Sequence, residues 1–266
     1  MREDSALTDK AWRQSYEHVF QLPGAGCAWE FLRRDPELME GFTRLKPDWQ
    51  EREGDSSVKI VQLLQDEAAD CLWSTSPDQD ANSATVIWNS ATTAHALKVV
   101  ALPPRLAFGG QVLDLDFITV EKTLLTTPAG TQQLLFCDGP RSLPLNVKGA
   151  SVTEPVALFV DTAIPEGQAE HKLRLLRCLR ALRETGELLP EFFPPHPYTK
   201  RAATVLLALD GYLAGMSHRD IAIAMVGEER VAREWSDASE NLRDAVRRAI
   251  VRGVALMKGG YRTFLR

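Results

Sequence analysis

The spacing of apolar residues changes twice along this chain, and each change marks a different kind of predicted element. In the first fifty residues it is helical: "DKAWRQSYEHVF" sets Trp12, Tyr16 and Phe20 four apart on one helix face. "PGAG" breaks that run, and "CAWEFLRR" resumes it. "DPELMEGFTRL" then offers Asp35 as a cap with Pro36 at the first helical position. A polar stretch, "KPDWQEREGDSS", reads as a linker.

Between about Ser57 and Asp161 the runs become short and rich in Val, Leu, Ile and Phe: "ATVIW", "LKVVAL", "QVLDLDFITV", "QQLLFCDG", "LPLNV" and "PVALFVD". Pro, Gly, Asn and Asp separate them, as they separate strands. "TTPAGTQQ" has the composition of a hairpin turn. With no alternation of strand and helix here, the expectation is a small antiparallel sheet. From Glu166 the helical period returns. "EHKLRLLRCLRALRETGELL" predicts a face of Leu173, Leu176 and Leu179 beside a stripe of Arg174, Arg177, Arg180 and Arg183. The pattern thus predicts an α+β protein in three segments: helical 1–56, a central sheet 57–165, and an all-α region 166–266.

Within that last region, "GMSHRDIAIAMVG" reads as the first half of a helix-turn-helix. Ser217 and Asp220 form a capping box, in which side chains satisfy the free backbone donors of a helix start. Ile221, Ala222, Met225 and Val226 give an apolar face, and Gly227 ends the helix. Small Ala222 suits the close helix crossing of such a motif. Two stretches compete to be the recognition helix. "EERVAREWS" is short, its Glu228, Glu229 and Glu234 cancel Arg230 and Arg233, and Trp235 suits a core. The longer "ENLRDAVRRAIVRGVALMK", with Asp237 or Ser239 as cap, is strongly two-faced. At about 100° per residue, Leu242, Val246, Ala249, Ile250, Gly253 and Met257 fall on one side. Arg247, Arg248, Arg252 and Lys258 fall opposite, with Arg243 at the boundary. A basic face backed by an apolar one suits the major groove, where arginine meets guanine edges and phosphates. The longer helix is therefore the expected reader of double-stranded DNA, and His218 and Arg219 the expected phosphate contacts of the first helix.

Charge strengthens this picture. The 266 residues carry a net −5, yet Thr199–Arg266 holds twelve Lys/Arg against eight Asp/Glu, a local +4. From Ser239 onward seven basic residues face two acids. Such asymmetry suggests a polyanion-binding end. The rest of the composition excludes more than it adds. Cys27, Cys71, Cys137 and Cys178 are far apart, without metal-ligand spacing, and read as free thiols of a cytoplasmic protein. The polar start "MREDSALTDKAWRQ" is unlike a signal peptide, and no apolar run reaches membrane-span length. Phosphate-binding glycine loops, zinc-protease and calcium-loop motifs are missing, and "HRD" at 218–220 lacks the companions a kinase needs. The expectation is a protein that is no enzyme and needs no metal or cofactor.

The residues also resemble a known family. "AWEFLRRDPEL", with Trp12 and Tyr16 before it, resembles a short transcriptional-regulator domain. "LDGYLAGMSHRDIAIAMVGEERVAREW…LRDAVRRAIVRGVALMKGGYRTFL" resembles the extended-turn helix-turn-helix domain found beside it in proteobacterial activators of integrative and conjugative element transfer. Related single-domain members are antiactivators. The resemblance covers roughly 1–50 and 165–266. It implies an activator, with RNA polymerase as a partner, that binds DNA through Arg243, Arg247, Arg248 and Arg252. It also implies packing of Trp29, Phe31 and Leu32 between domains, with Trp12, Tyr16 and Trp235 as further candidates for the same role. The chain departs from the family's activators in its acidic net charge, which antiactivator members share. The alternative it implies is a regulator that binds a paralogous activator protein and no DNA.

Overall fold

The computed structural model describes residues 15–38, 49–52, 58–63, 70–89, 95–106, 112–160, 167–236 and 241–265. Its helices are α1 (Gly24–Leu32), α2 (Ala169–Thr185), α3 (Thr199–Leu213), α4 (His218–Val226), α5 (Glu228–Glu234) and α6 (Asn241–Met257). Its strands are β1 (Trp49–Arg52), β2 (Val58–Leu63), β3 (Cys71–Ser74), β4 (Val86–Trp88), β5 (Leu97–Leu102), β6 (Val112–Leu113), β7 (Glu121–Thr126), β8 (Gln132–Asp138), β9 (Arg141–Gly149) and β10 (Val156–Val160). The protein is α+β, as its pattern predicts. It divides into two compact units, one of 1–38 with 195–264 and one of 39–194 with 265–266. The α2 helix thus groups with the sheet, and the N-terminal helical residues group with α3 to α6.

In the sheet unit, eight strands of the described residues follow the order β1-β2-β7-β8-β9-β5-β10-β6. The sheet is larger than the sequence suggests, and two of its pairs, β2–β7 and β5–β9, are parallel. Both join strands distant in sequence, so the rhythm of neighbouring strands carries no sign of them. The β7–β8 hairpin sits where "TTPAGTQQ" predicts, with Gly130 at φ 78°. Leu175, Cys178, Leu179 and Leu182 of α2 join Leu97, Leu134, Phe136 and Leu145 in the larger core. The β3–β4 ribbon supplies Leu72, Trp73 and Ile87 to a second core with Val61, Leu125 and Leu135. Consecutive burial along β8 follows from this double cover, whereas β5 alternates buried and exposed.

The expected Leu face of α2 is corrected here: Leu173 is exposed, Leu176 half-buried, and only Leu179 of the three is buried. A spacing of three drifts around a helix that repeats every 3.6 residues, and the set 175, 178, 179 and 182 stays on one side. A similar correction applies near the N-terminus. Residues Glu17–Gln21 form a 3-10 turn, in which positions three apart align. Tyr16 and Val19 are therefore buried while Phe20 is exposed. Trp12 lies outside the described residues.

The helical unit is built on α3. Ala208 of α3, Ile221 and Ala222 of α4, Val231 of α5, and Leu242, Val246 and Ile250 of α6 share one core. Gly253 lets α6 approach α3 closely: a Cβ there would lie 2.9 Å from the Leu209 Cβ. At the start of the unit, Asp35 caps the next turn by accepting from the Glu37 N–H at 3.0 Å, and Phe31 stacks on Phe264 with ring centres 5.8 Å apart.

Candidate nucleic-acid interface

The α4 helix begins at Ser217, whose Oγ accepts from the Asp220 N–H at 3.2 Å and donates to the Asp220 carboxylate at 2.6 Å. That cap uses a backbone donor and brings a negative charge to the helix start. The side chains of His218 and Arg219, in the first turn, are exposed. Gly227, at φ 89°, ends α4 and starts α5 within one residue. Positive φ costs a residue with a Cβ but not glycine, which explains the glycine that closes the sequence motif.

The short α5 is neutralised internally. Glu234 accepts from the Arg230 Nε at 2.9 Å and from an Arg233 Nη at 3.3 Å. The Arg230 hydrogen bond leads the effects that hold the Glu234 carboxyl below its ordinary range. Trp235 is half-buried against the core of α3, α4 and α6. The α5 helix and Trp235 thus pack on the unit, with Arg230 and Arg233 engaged by Glu234.

The α6 helix differs in both respects. Leu242, Val246, Ile250, Gly253, Leu256 and Met257 are buried, while Arg247, Arg248 and Arg252 are exposed. Arg247 pairs with Asp244 at 3.2 Å, a surface i,i+3 contact of the kind that contributes little to stability. Among the described residues no carboxylate pairs with Arg248 or Arg252. The Arg252 guanidinium lies 5.9 Å from the ring centre of Tyr198, within reach of the attraction between a cation and an aromatic face. The expected caps Asp237 and Ser239 lie outside the described residues.

Two other basic residues singled out from the sequence are engaged in the fold. Arg243 is half-buried, and its Nε donates to the Trp235 carbonyl at 3.0 Å, tying α6 to the end of α5. Lys258, just past α6, pairs with Asp35 and Glu37, each at 2.9 Å. The Glu37 and Asp35 hydrogen bonds raise its pKa. The structure thus brings Arg247, Arg248 and Arg252 together on one outward face, and gives Arg243 and Lys258 partners within the unit.

Several aromatic residues near the N-terminus are packed inside the same unit. Trp29, Phe31 and Leu32 are buried in α1. Tyr16 donates to Asp210 of α3 at 2.5 Å, and Arg34 reaches the same carboxylate at 2.5 and 2.8 Å. Arg34 also pairs at 2.7 Å with Glu30, which is fully buried and further approached by Arg33 at 3.0 Å and His18 at 3.5 Å. Burial opposes the Glu30 charge. His18 and the two guanidiniums outweigh it and hold the carboxyl well below its usual range. Sequence reasoning missed Asp210, Arg34 and Tyr198. The Glu30–Arg34 spacing is a readable helix pair, but nothing local points to Asp210.

Residues 159–266 match the model of a family described as "T6SS, Transcription factor, DNA binding domain". The match supports a DNA-binding regulator domain in the C-terminal part of the chain. It takes in α2 to α6 and stops short of the N-terminal helices and most of the sheet. No curated protein matches the chain. Among the described residues no helix is long and apolar enough to cross a membrane, and no group of three or more His, Cys, Asp or Glu could hold a metal ion.

Proposed function

We propose that this chain is a sequence-specific, non-enzymatic transcriptional regulator that lays α6 in the major groove of double-stranded DNA. One observation carries the reading: the outward face of α6 presents Arg247, Arg248 and Arg252, with Arg248 and Arg252 unpaired with any described carboxylate. His218 and Arg219, at the start of α4, add phosphate contacts. Segment 166–266 is the DNA-binding part and 1–56 the regulatory part. The protein acts in the cytoplasm as an activator that recruits RNA polymerase to transfer genes of an integrative or conjugative element, the role supported by the resemblance at both chain ends. The description of the matched family, which opens with T6SS, makes T6SS genes a second class of target. Genome-wide occupancy, paired with transcript levels in a deletion strain, tests this. Occupied promoters that lose expression on deletion fit an activator, and the genes downstream decide between the two targets. Occupied promoters that gain expression contradict activation.

A second reading, an antiactivator that binds a paralogous regulator and not DNA, draws on the net charge of −5 and the neutralised Lys258. Recovery of a paralogue with the purified protein, together with an absence of promoter occupancy, would favour it.

A further inference from the structure

Val251 is the most exposed of the large hydrophobic side chains among the described residues, at 63%. It lies on α6, in "RRAIVRG", between the exposed Arg247, Arg248 and Arg252. The amphipathic pattern of this helix needs no apolar residue there, because the buried set is complete without it: Leu242, Val246, Ile250, Gly253, Leu256 and Met257. At about 100° per residue, Val251 and Arg248 straddle the direction opposite the buried set, each within roughly 30° of it. Arg247 and Arg252 flank them at roughly 70° on either side. Ala255 is exposed on the same central row as Val251, one turn on, and keeps the helix surface low there. Asp244, seven residues back, shares the row and has its charge answered by Arg247 at 3.2 Å.

That order of side chains matches the cross-section of a groove. The flanks of an inserted helix face the two phosphate rims, and its centre faces base edges. Burying an exposed Val against an apolar group is favourable, and at the centre of an arginine-edged face the group within its reach is an apolar one inside a polyanion. The 5-methyl group of thymine is the apolar element that the major groove offers. We infer that Val251 is a specificity-determining residue that packs on a thymine methyl, with Arg248 on the neighbouring base edge and Arg247 and Arg252 on phosphates. This rests on the DNA-binding reading of α6. A protein partner for the same side chain is the competing outcome, disfavoured by the guanidiniums that surround it.

The test uses the full-length protein and a randomised duplex library. Duplexes enriched by binding are resynthesised with deoxyuridine in place of each thymidine in turn, which removes one methyl group and leaves every hydrogen-bonding atom. Wild type is expected to bind about fourfold more weakly at one thymine per inserted helix, the worth of one buried methyl group. Val251→Ser is expected to bind the two duplexes alike at that position and to keep the thermal midpoint of wild type. Equal binding of thymidine and deoxyuridine duplexes by wild type, or the same discrimination in Val251→Ser, overturns the inference while DNA binding stands. No enrichment of any duplex by wild type overturns the DNA-binding reading itself, and this inference with it.

Discussion

Tyr16 and Asp210, 194 positions apart in sequence, meet in a hydrogen bond of 2.5 Å beside the Arg34 guanidinium. The bond joins the N-terminal turn to α3, the helix on which α4 and α6 pack. Arg34 also pairs with the buried Glu30, so its removal would leave Asp210 without its guanidinium and Glu30 with Arg33 and His18. Removing one member of a buried ion pair costs about 3–5 kcal/mol. Arg34→Met is expected to lower unfolding free energy in urea by about 3 kcal/mol, and Tyr16→Phe by about 1 kcal/mol, the net worth of one hydrogen bond. A change below about 1 kcal/mol for Arg34→Met would show that the network is not holding the unit together.

Much of what surrounds that hydrogen bond is legible in the sequence. The Ser217–Asp220 cap, the Gly227 stop and the two faces of α6 are all local, set by residues within one or two turns. The Tyr16–Asp210 and Lys258–Asp35 pairs depend on which helices meet, which no local spacing encodes. The parallel β2–β7 and β5–β9 pairs are hidden for the same reason. Exposure of Phe20 and Leu173 shows a different limit. Apolar residues at near-helical spacing signal a buried face, but a 3-10 turn or a drift of register decides which of them lies on it. The charge on α6 is readable, while the partners of Arg243 and Lys258 are not.

The sheet unit carries a pH response through His95. Burial, followed by the charges of His171 and Arg174, pulls its pKa from the ordinary 6.5 down to about 3. The folded state therefore keeps His95 neutral where the unfolded chain binds a proton, so its contribution to stability is lost as pH falls from 6.5 toward 3. Burial lowers the pKa of His171 as well, adding in the same direction. The slope reaches at most about 1.4 kcal/mol per pH unit for each such group. Urea unfolding between pH 5 and 7 should show stability falling with acid in wild type and a flatter profile in His95→Leu. Parallel profiles would contradict the assignment.

Gly253 sets the distance between α6 and α3. A methyl group there would lie 2.9 Å from the Leu209 Cβ and 3.3 Å from the Val205 carbonyl oxygen, atoms fixed by the α3 backbone. Gly253→Ala is expected to destabilise by about 1–3 kcal/mol despite its better helix propensity, and to weaken DNA binding by shifting α6. Chemical denaturation checks the first effect and a binding titration the second. A stabilised variant would mean that the helices part without cost.

Lys258 separates charge near the helix from charge on the outward face that carries Arg247, Arg248 and Arg252. Its ammonium is engaged by Asp35 and Glu37, so Lys258→Ala should leave the salt dependence of DNA binding unchanged. A shallower dependence would assign Lys258 to phosphate instead.

The most direct test of the account is a salt titration of binding to duplex DNA from an occupied promoter. It compares wild type with Arg247→Ala/Arg248→Ala/Arg252→Ala on α6 and with Arg230→Ala/Arg233→Ala on α5. The slope of log K against log salt should fall by about 0.9 for each phosphate that the α6 variant no longer neutralises, and stay at the wild-type value in the α5 variant. An unchanged slope and affinity in the α6 variant, or a reduced slope in the α5 variant instead, would contradict α6 as the helix that reads DNA.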